Sequence, residues 1–245
     1  MNSKPTTRKN LNQLLSIIIL TIITARLEAA VYYVDSVTGE DGKSGTSEDS
    51  AWKSLDKANQ ITLSPGDKIL FKTGSRYTGQ LKPKGSGRKG APVMIDLYGS
   101  GRKPRIDGEG KYLETVLLED MEYVLFRNME VTNTGKERVN GRAGVRVKLK
   151  NFGTAHDICL ASLHVHDVNG EVDNGRGEGI DFVVESGEQR SRYDGLTIEG
   201  CHLVRTDFYG IHGSTAYARF QNRYLSWAAP LCLMIAAISG VVYWG

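Results

Sequence analysis

Three short segments carry the residues best suited to chemistry. Gly144-Val145-Arg146-Val147, Gly179-Ile180-Asp181-Phe182 and Gly210-Ile211-His212 recur 35 and 31 residues apart. Read as β-strands, their side chains alternate between two faces. Val145, Val147, Ile180, Phe182 and Ile211 then point inward, and Arg146, Asp181 and His212 point outward. If the strands stack as neighbours, about 4.8 Å apart, these three form one column. A guanidinium holds and partly neutralises a carboxylate ligand. A carboxylate serves as acid, base or calcium ligand, and an imidazole moves protons near neutral pH. A plain alternative is a row of solvated side chains pairing across strands for a few tenths of a kcal/mol.

Loops entering these strands add candidates. His166, Asp167 and Asp173 precede one strand, Glu178 stands two residues before Ile180, and Arg205 and Asp207 precede the next. His166, Glu178 and Arg205 are read as substrate-binding groups. Two carboxylates across a groove suit a hydrolase, and Asp181 with Asp207 is the expected pair, His212 orienting one of them. A second column, Glu130, His164 and His202, has the residue types of a zinc site. A surface ladder is the preferred reading, and no metal site is assigned.

These segments belong to a longer repeat. Val124–Val131, Ile158–Val165 and Leu196–Leu203 align, with starts 34 and 38 residues apart. Each runs apolar-x-apolar, two turn-type residues, apolar-x-apolar. Each repeat thus holds three strands, two of them joined by a tight corner, and none shows helical periodicity. Three short parallel strands per turn predict an all-β, right-handed parallel β-helix, whose coils bury their apolar sides only by stacking. Pro92–Leu97 and Arg105–Gly108 read as strands of an earlier coil, and Ser50–Ala58 as a short capping helix with Ser50 at its N-cap.

Composition narrows the class. Glycine is abundant, 28 residues against 6 prolines, as many tight turns require. Residues 1–30 have a basic start, a short apolar run and small residues at Ala29-Ala30, the pattern of a secretory signal. They hold four of the 31 basic and one of the 28 acidic residues, so the remainder carries 27 of each and is formally neutral. The overall basic balance therefore gives no ground for nucleic-acid binding. Three cysteines form neither a disulfide framework nor a zinc spacing. The β-helix domain is expected over residues 31–213, with a cap over about 31–75. Residues 214–245 break the repeat. Tyr224–Trp244 carries no charge and reads either as a membrane anchor or as the product of a truncated or shifted reading frame, the latter preferred.

Tyr32-Tyr-Val-Asp-Ser36, Gly45–Leu55 and Pro65-Gly-Asp-Lys-Ile-Leu-Phe71 resemble the start of secreted bacterial β-helix proteins of the pectin-lyase-like superfamily. The resemblance runs from about Tyr32 to Gly213. It implies a parallel β-helix that handles polysaccharide, with the Gly-Ile strands lining the substrate groove and the strand of Glu130, His164 and His202 lying away from it. It further implies cleavage of an acidic or plant-type polysaccharide by β-elimination or hydrolysis. In a lyase Arg146 would neutralise a uronate and a loop carboxylate would hold calcium. In a hydrolase Asp181 and Asp207 would act. The alternatives are a non-catalytic, surface-attached glycan-binding module and an inactive fragment of an enzyme. The protein is expected to be secreted and monomeric, with membrane contact only through residues 224–244.

Overall fold

A computed structural model describes residues 29–171 and 177–215. The leader before Ala29, Asp173 in the acidic loop, and the apolar tail lie outside these residues. Among the described residues seventeen strands follow one another: β1 (Val31–Val34), β2 (Thr62–Leu63), β3 (Lys68–Lys72), β4 (Arg76–Thr78), β5 (Lys84–Gly85) and β6 (Val93–Tyr98). Then come β7 (Arg105–Asp107), β8 (Glu114–Glu119), β9 (Val124–Arg127), β10 (Glu130–Asn133), β11 (Arg142–Leu149) and β12 (Thr154–Ala161). The last are β13 (His164–Val168), β14 (Gly177–Val184), β15 (Arg192–Glu199), β16 (His202–Thr206) and β17 (Tyr209–Thr215).

The chain winds through three parallel sheets in turn. The first has the order β1-β3-β6-β9-β12-β15, the second β4-β7-β10-β13-β16 and the third β8-β11-β14-β17, while β2 and β5 form a small outlying pair. Every strand pair in them is parallel and each coil lies on the one before, which is the parallel β-helix that the repeat predicts. Among the described residues no helix is long and apolar enough to cross a membrane.

The core is built from columns of like residues at successive coils. Val93, Val124, Ile158 and Leu196 stack in the first sheet. Tyr77, Ile106, Val131 and Val165 stack in the second, and Val116, Val145, Ile180 and Ile211 in the third. Most are fully buried, and each such side chain contributes about 1.5–3 kcal/mol. The corner between first and second sheets is set by Asn128, Ser162 and Gly200, all left-handed at φ 60°, 53° and 57°. They are the second turn residues of the three repeats. The backbone amide of Asn128 donates to Ala161 O at 3.1 Å and that of Ser162 to Glu199 O at 2.9 Å, so corner stacks on corner.

The cap differs from the sequence reading. Glu48–Ser50 form a single 3-10 turn, and the helix, α1, spans only Leu55–Ala58. Its N-cap is Ser54, whose hydroxyl accepts from the Lys57 amide at 3.1 Å. The chain between is extended because Trp52 has to enter the core, where its indole N–H donates to Lys43 O at 3.0 Å and the backbone bridges to Val34.

Candidate active site

The third sheet brings Arg146, Asp181 and His212 into one column. Arg146 stands opposite Asp181 and Asp181 opposite His212 in register. Asp181 Oδ2 accepts from Arg146 Nε at 2.8 Å, and Asp181 Oδ1 lies 2.9 Å from His212 Nδ1. The guanidinium also donates to Glu114 Oε2 and to Gly141 O, each at 2.7 Å. One carboxylate on the middle coil thus ties three successive coils together.

The column is not open to solvent as strict alternation requires. Asp181 is 0 % exposed, Arg146 9 %. The reason lies at the start of each strand, where two consecutive residues turn inward. A Cβ on Gly144 would meet Val165 Cγ1 at 2.4 Å, and one on Gly179 would meet Leu203 Cδ2 at 2.9 Å, both core side chains of the second sheet. Their followers Val145 and Ile180 are in the core as well. With two inward positions side by side, residues three apart share the outer face. Glu178 therefore joins Asp181, and ligand atoms of Glu178, Asp181 and His212 lie within 4.8 Å of one another. Glu178 stands inside β14 and is fully buried, whereas the sequence placed it in the entering loop as a contact for substrate. Opposite these carboxylates on β17, Tyr209 and His212 stack with ring centroids 5.1 Å apart.

Burial alone would raise the Asp181 carboxyl. The hydrogen bond from His212 and the charge and hydrogen bond of Arg146 outweigh it, so the carboxyl titrates below its ordinary range. Asp181 is an ionised group that fixes His212 rather than a proton donor. The imidazole is the member of the set that reaches solvent, with a quarter of its side chain exposed.

The other expected residues go elsewhere. Asp207 forms an ion pair with Arg138, from a loop far earlier in the chain, and is not in the Asp181 cluster. The carboxyl group that stands directly beside Asp181 is that of Glu178. His166 and Arg205 are not loop residues beside the groove strand but lie on β13 and β16 of the second sheet.

That second sheet carries its own polar cluster. His166 Nδ1 donates to Asp167 Oδ2 at 2.7 Å, and its Nε2 lies 3.0 Å from Glu130 Oε1. Arg205 Nη2 donates to Asp167 Oδ2 at 2.9 Å. The His164 ring lies 4.3 Å from that of His166 and stacks on that of His202 at 4.9 Å. Desolvation, then the neighbouring imidazoles, hold His164 below its ordinary value. The Glu130–His164–His202 ladder is present in register, with His166 drawn in as an unexpected member because it follows His164 by two on the same strand.

No family model matches the chain. A lacto-N-biosidase of Bifidobacterium longum is 29 % identical over 265 aligned residues, which cover 80 % of this chain and 17 % of that protein. An α-1,3-galactosidase A of Akkermansia muciniphila is 36 % identical over 75 residues, 29 % of this chain and 12 % of that protein. The crystal structure of the GH136 lacto-N-biosidase from Eubacterium ramulus superposes with a TM-score of 0.71 at 31 % identity, covering 89 % of this chain and 42 % of that one. The chain therefore spans less than half the length of each of these relatives. In sequence and in its parallel β-helix it is similar to carbohydrate-active glycoside hydrolases, a fold that the pectin-lyase-like superfamily also fits.

Proposed function

We propose that the chain forms the β-helix part of a glycoside hydrolase, with the Glu178–Asp181–His212 cluster as the centre of its chemistry. The observation that carries this reading is the buried Asp181 carboxylate, held between Arg146 and His212 beside a second carboxylate. In it, Asp181 holds the His212 ring, His212 moves the proton at the outer face, and Glu178 stands beside the pair as the second carboxyl group. The relatives support hydrolysis over elimination. So does the state of Arg146, which is nearly buried and whose three nitrogens each donate within the protein, to Asp181, Glu114 and Gly141. Calcium held for a lyase has no part in this reading. An acidic or plant-type polysaccharide draws no support from relatives named for lacto-N-biose and α-1,3-linked galactose. A lacto-N-biosidic linkage is the substrate to try first. The basic and apolar pattern of residues 1–30 supports action outside the cytoplasm.

The test is incubation of the full-length protein with a lacto-N-bioside, an α-1,3-galactoside and a panel of uronic-acid polysaccharides. Hydrolysis gives new reducing ends without ultraviolet-absorbing unsaturated ends, and Asp181→Asn slows it by about 10²–10⁴-fold. Unsaturated ends from a uronate polymer would replace this reading with a lyase. Glycan binding without product, unchanged in Asp181→Ala and His212→Ala, would replace it with a non-catalytic glycan-binding module.

A further inference from the structure

The second sheet presents a set of groups that the hydrolase reading does not use. His164 and His166 are two apart on β13, with Val165 between them fully buried, so both imidazoles stand on the outer face. Glu130 lies opposite His164 on β10, the strand of the preceding coil. One ligand atom from each of Glu130, His164 and His166 falls within a span of 4.8 Å. A tetrahedral zinc ion with bonds of about 2.0–2.1 Å holds its ligand atoms about 3.3 Å apart, so small rotations of side chains close the set.

The hydrogen bonding around His166 gives a second, independent reason. Asp167 has left-handed backbone, φ 52°, which brings its carboxylate back to the ring of the preceding residue. With Nδ1–H donating to Asp167 Oδ2 at 2.7 Å, a neutral His166 carries a lone pair on Nε2. That lone pair faces Glu130 Oε1 at 3.0 Å. Two acceptors at this distance require a cation between or beside them, either a proton or a metal ion. The 3.2 Å approach of Arg205 Nη2 to Nδ1 follows from its bond to the same Asp167 carboxylate and leaves Nε2 untouched. Arg105 Nε stands 3.6 Å from the same Glu130 Oε1, but its guanidinium also bonds Thr132 and pairs with Asp107.

The geometry points to a divalent metal site of the zinc class at Glu130, His164 and His166, with Asp167 orienting His166 and a fourth position open towards His202. A carboxylate behind one histidine is the arrangement that fixes the tautomer and ring of a metal ligand. The ion would clamp β10 to β13 across consecutive coils. This reading is independent of the hydrolase assignment, since the cluster lies on a different sheet from Asp181.

The experiment is calorimetric titration of the chelator-treated, full-length protein with zinc chloride near neutral pH, with cobalt(II) as a spectroscopic substitute. The expected result is one zinc ion per chain and tetrahedral cobalt bands in the visible. His164→Ala and Glu130→Gln should weaken binding by more than the about 10–100-fold expected of Asp167→Asn, which keeps all three ligands and alters only the orienting carboxylate. His202→Gln should retain the stoichiometry. Circular dichroism confirms the fold of each variant, and Glu130, a quarter exposed, gives an isosteric variant where a histidine deletion unfolds. Absence of zinc uptake by the wild type overturns the assignment, as does unchanged affinity in His164→Ala or Glu130→Gln. So does a nitrogen-detected NMR spectrum in which His166 is protonated on both nitrogens and indifferent to zinc, for then a proton bridges Glu130 and Asp167.

Discussion

Asp181 Oδ1 stands 2.9 Å from Nδ1 of His212, one coil further on, while Oδ2 of the same carboxylate is held by Arg146 of the coil before. A carboxylate without exposed surface that binds one ring nitrogen determines which tautomer the ring adopts and where its other nitrogen points. The Arg146 contact keeps that carboxylate ionised and in one rotamer.

From this arrangement follows a kinetic signature. Asp181→Asn keeps the shape but exchanges an acceptor for a group that can present the wrong face to Nδ1. We expect kcat on the glycan substrate to fall by about 10²–10⁴, with KM changed little. His212→Asn should lose a similar factor. The double variant should lose no more than the worse single one, because the two residues act as a unit. Steady-state kinetics of the three proteins checks this, and additive losses would separate the roles.

A pH dependence of stability follows from the same pair. The Asp181 carboxyl is lower in the folded chain than in the unfolded one. Its contribution is therefore present above the unfolded value, near pH 4, and is lost as pH falls through the folded value. Removing one partner of a buried ion pair costs about 3–5 kcal/mol. Denaturant unfolding of Asp181→Ala should show that deficit at neutral pH, and the gap to wild type should shrink only below about pH 4.

The solenoid was legible because its rule is local. Apolar alternation at Val124–Val131 and its two copies, with turn-type residues between, is enough to mark strand, corner and strand. The columns of Arg146, Asp181 and His212 and of Glu130, His164 and His202 followed from the same alignment. What alternation could not reveal is its own interruption. Gly179 and Ile180 both face the core, which puts Glu178 on the outer face beside Asp181. The signal was available in the glycine that opens each Gly-Ile strand, a residue without a side chain at a place where one would collide. The partner of Asp207 was beyond reach, since Arg138 lies 69 residues away and approaches from a variable loop. His166 was missed as a neighbour of Glu130 because its polarity suggested a loop, although it continues the strand of His164.

The glycine argument distinguishes two positions of the same repeat. A methyl group at Gly144 would stand 2.4 Å from Val165 Cγ1 and 2.8 Å from Gly179 O, the second a backbone atom with no freedom to retreat. At Gly210 the nearest atom is Leu203 Cβ at 3.9 Å, an ordinary contact. Gly144→Ala should therefore destabilise by about 1–3 kcal/mol through overpacking. Gly210→Ala should be neutral, or gain up to about 1 kcal/mol from the lower entropy of its unfolded chain. Chemical denaturation of both variants checks the contrast, and equal effects would mean that the two positions do not differ in their surroundings.

The corner residues offer a change in the opposite direction. Asn128, Ser162 and Gly200 hold the same left-handed backbone in three coils, with residues of very different tolerance for it. Glycine adopts it without steric cost and asparagine with little, whereas other side chains are strained by about 1–2 kcal/mol. Serine is the misfit of the series. Its amide and carbonyl are nevertheless engaged, the amide donating to Glu199 O at 2.9 Å and the carbonyl accepting from Lys103 Nζ at 2.5 Å, and both bonds belong to the backbone of residue 162. A substitution that deletes only the side chain keeps them. Ser162→Gly should thus relieve the strain, but it also gives the unfolded chain more freedom, which offsets part of the gain. The net expectation is a stabilisation of about 0.5–1 kcal/mol, read as a higher denaturant midpoint at unchanged m-value. Ser162→Val, with a β-branched side chain in the same conformation, should lower the midpoint, and the order Gly above Ser above Val is the result that ties stability to backbone conformation at this corner rather than to the hydroxyl.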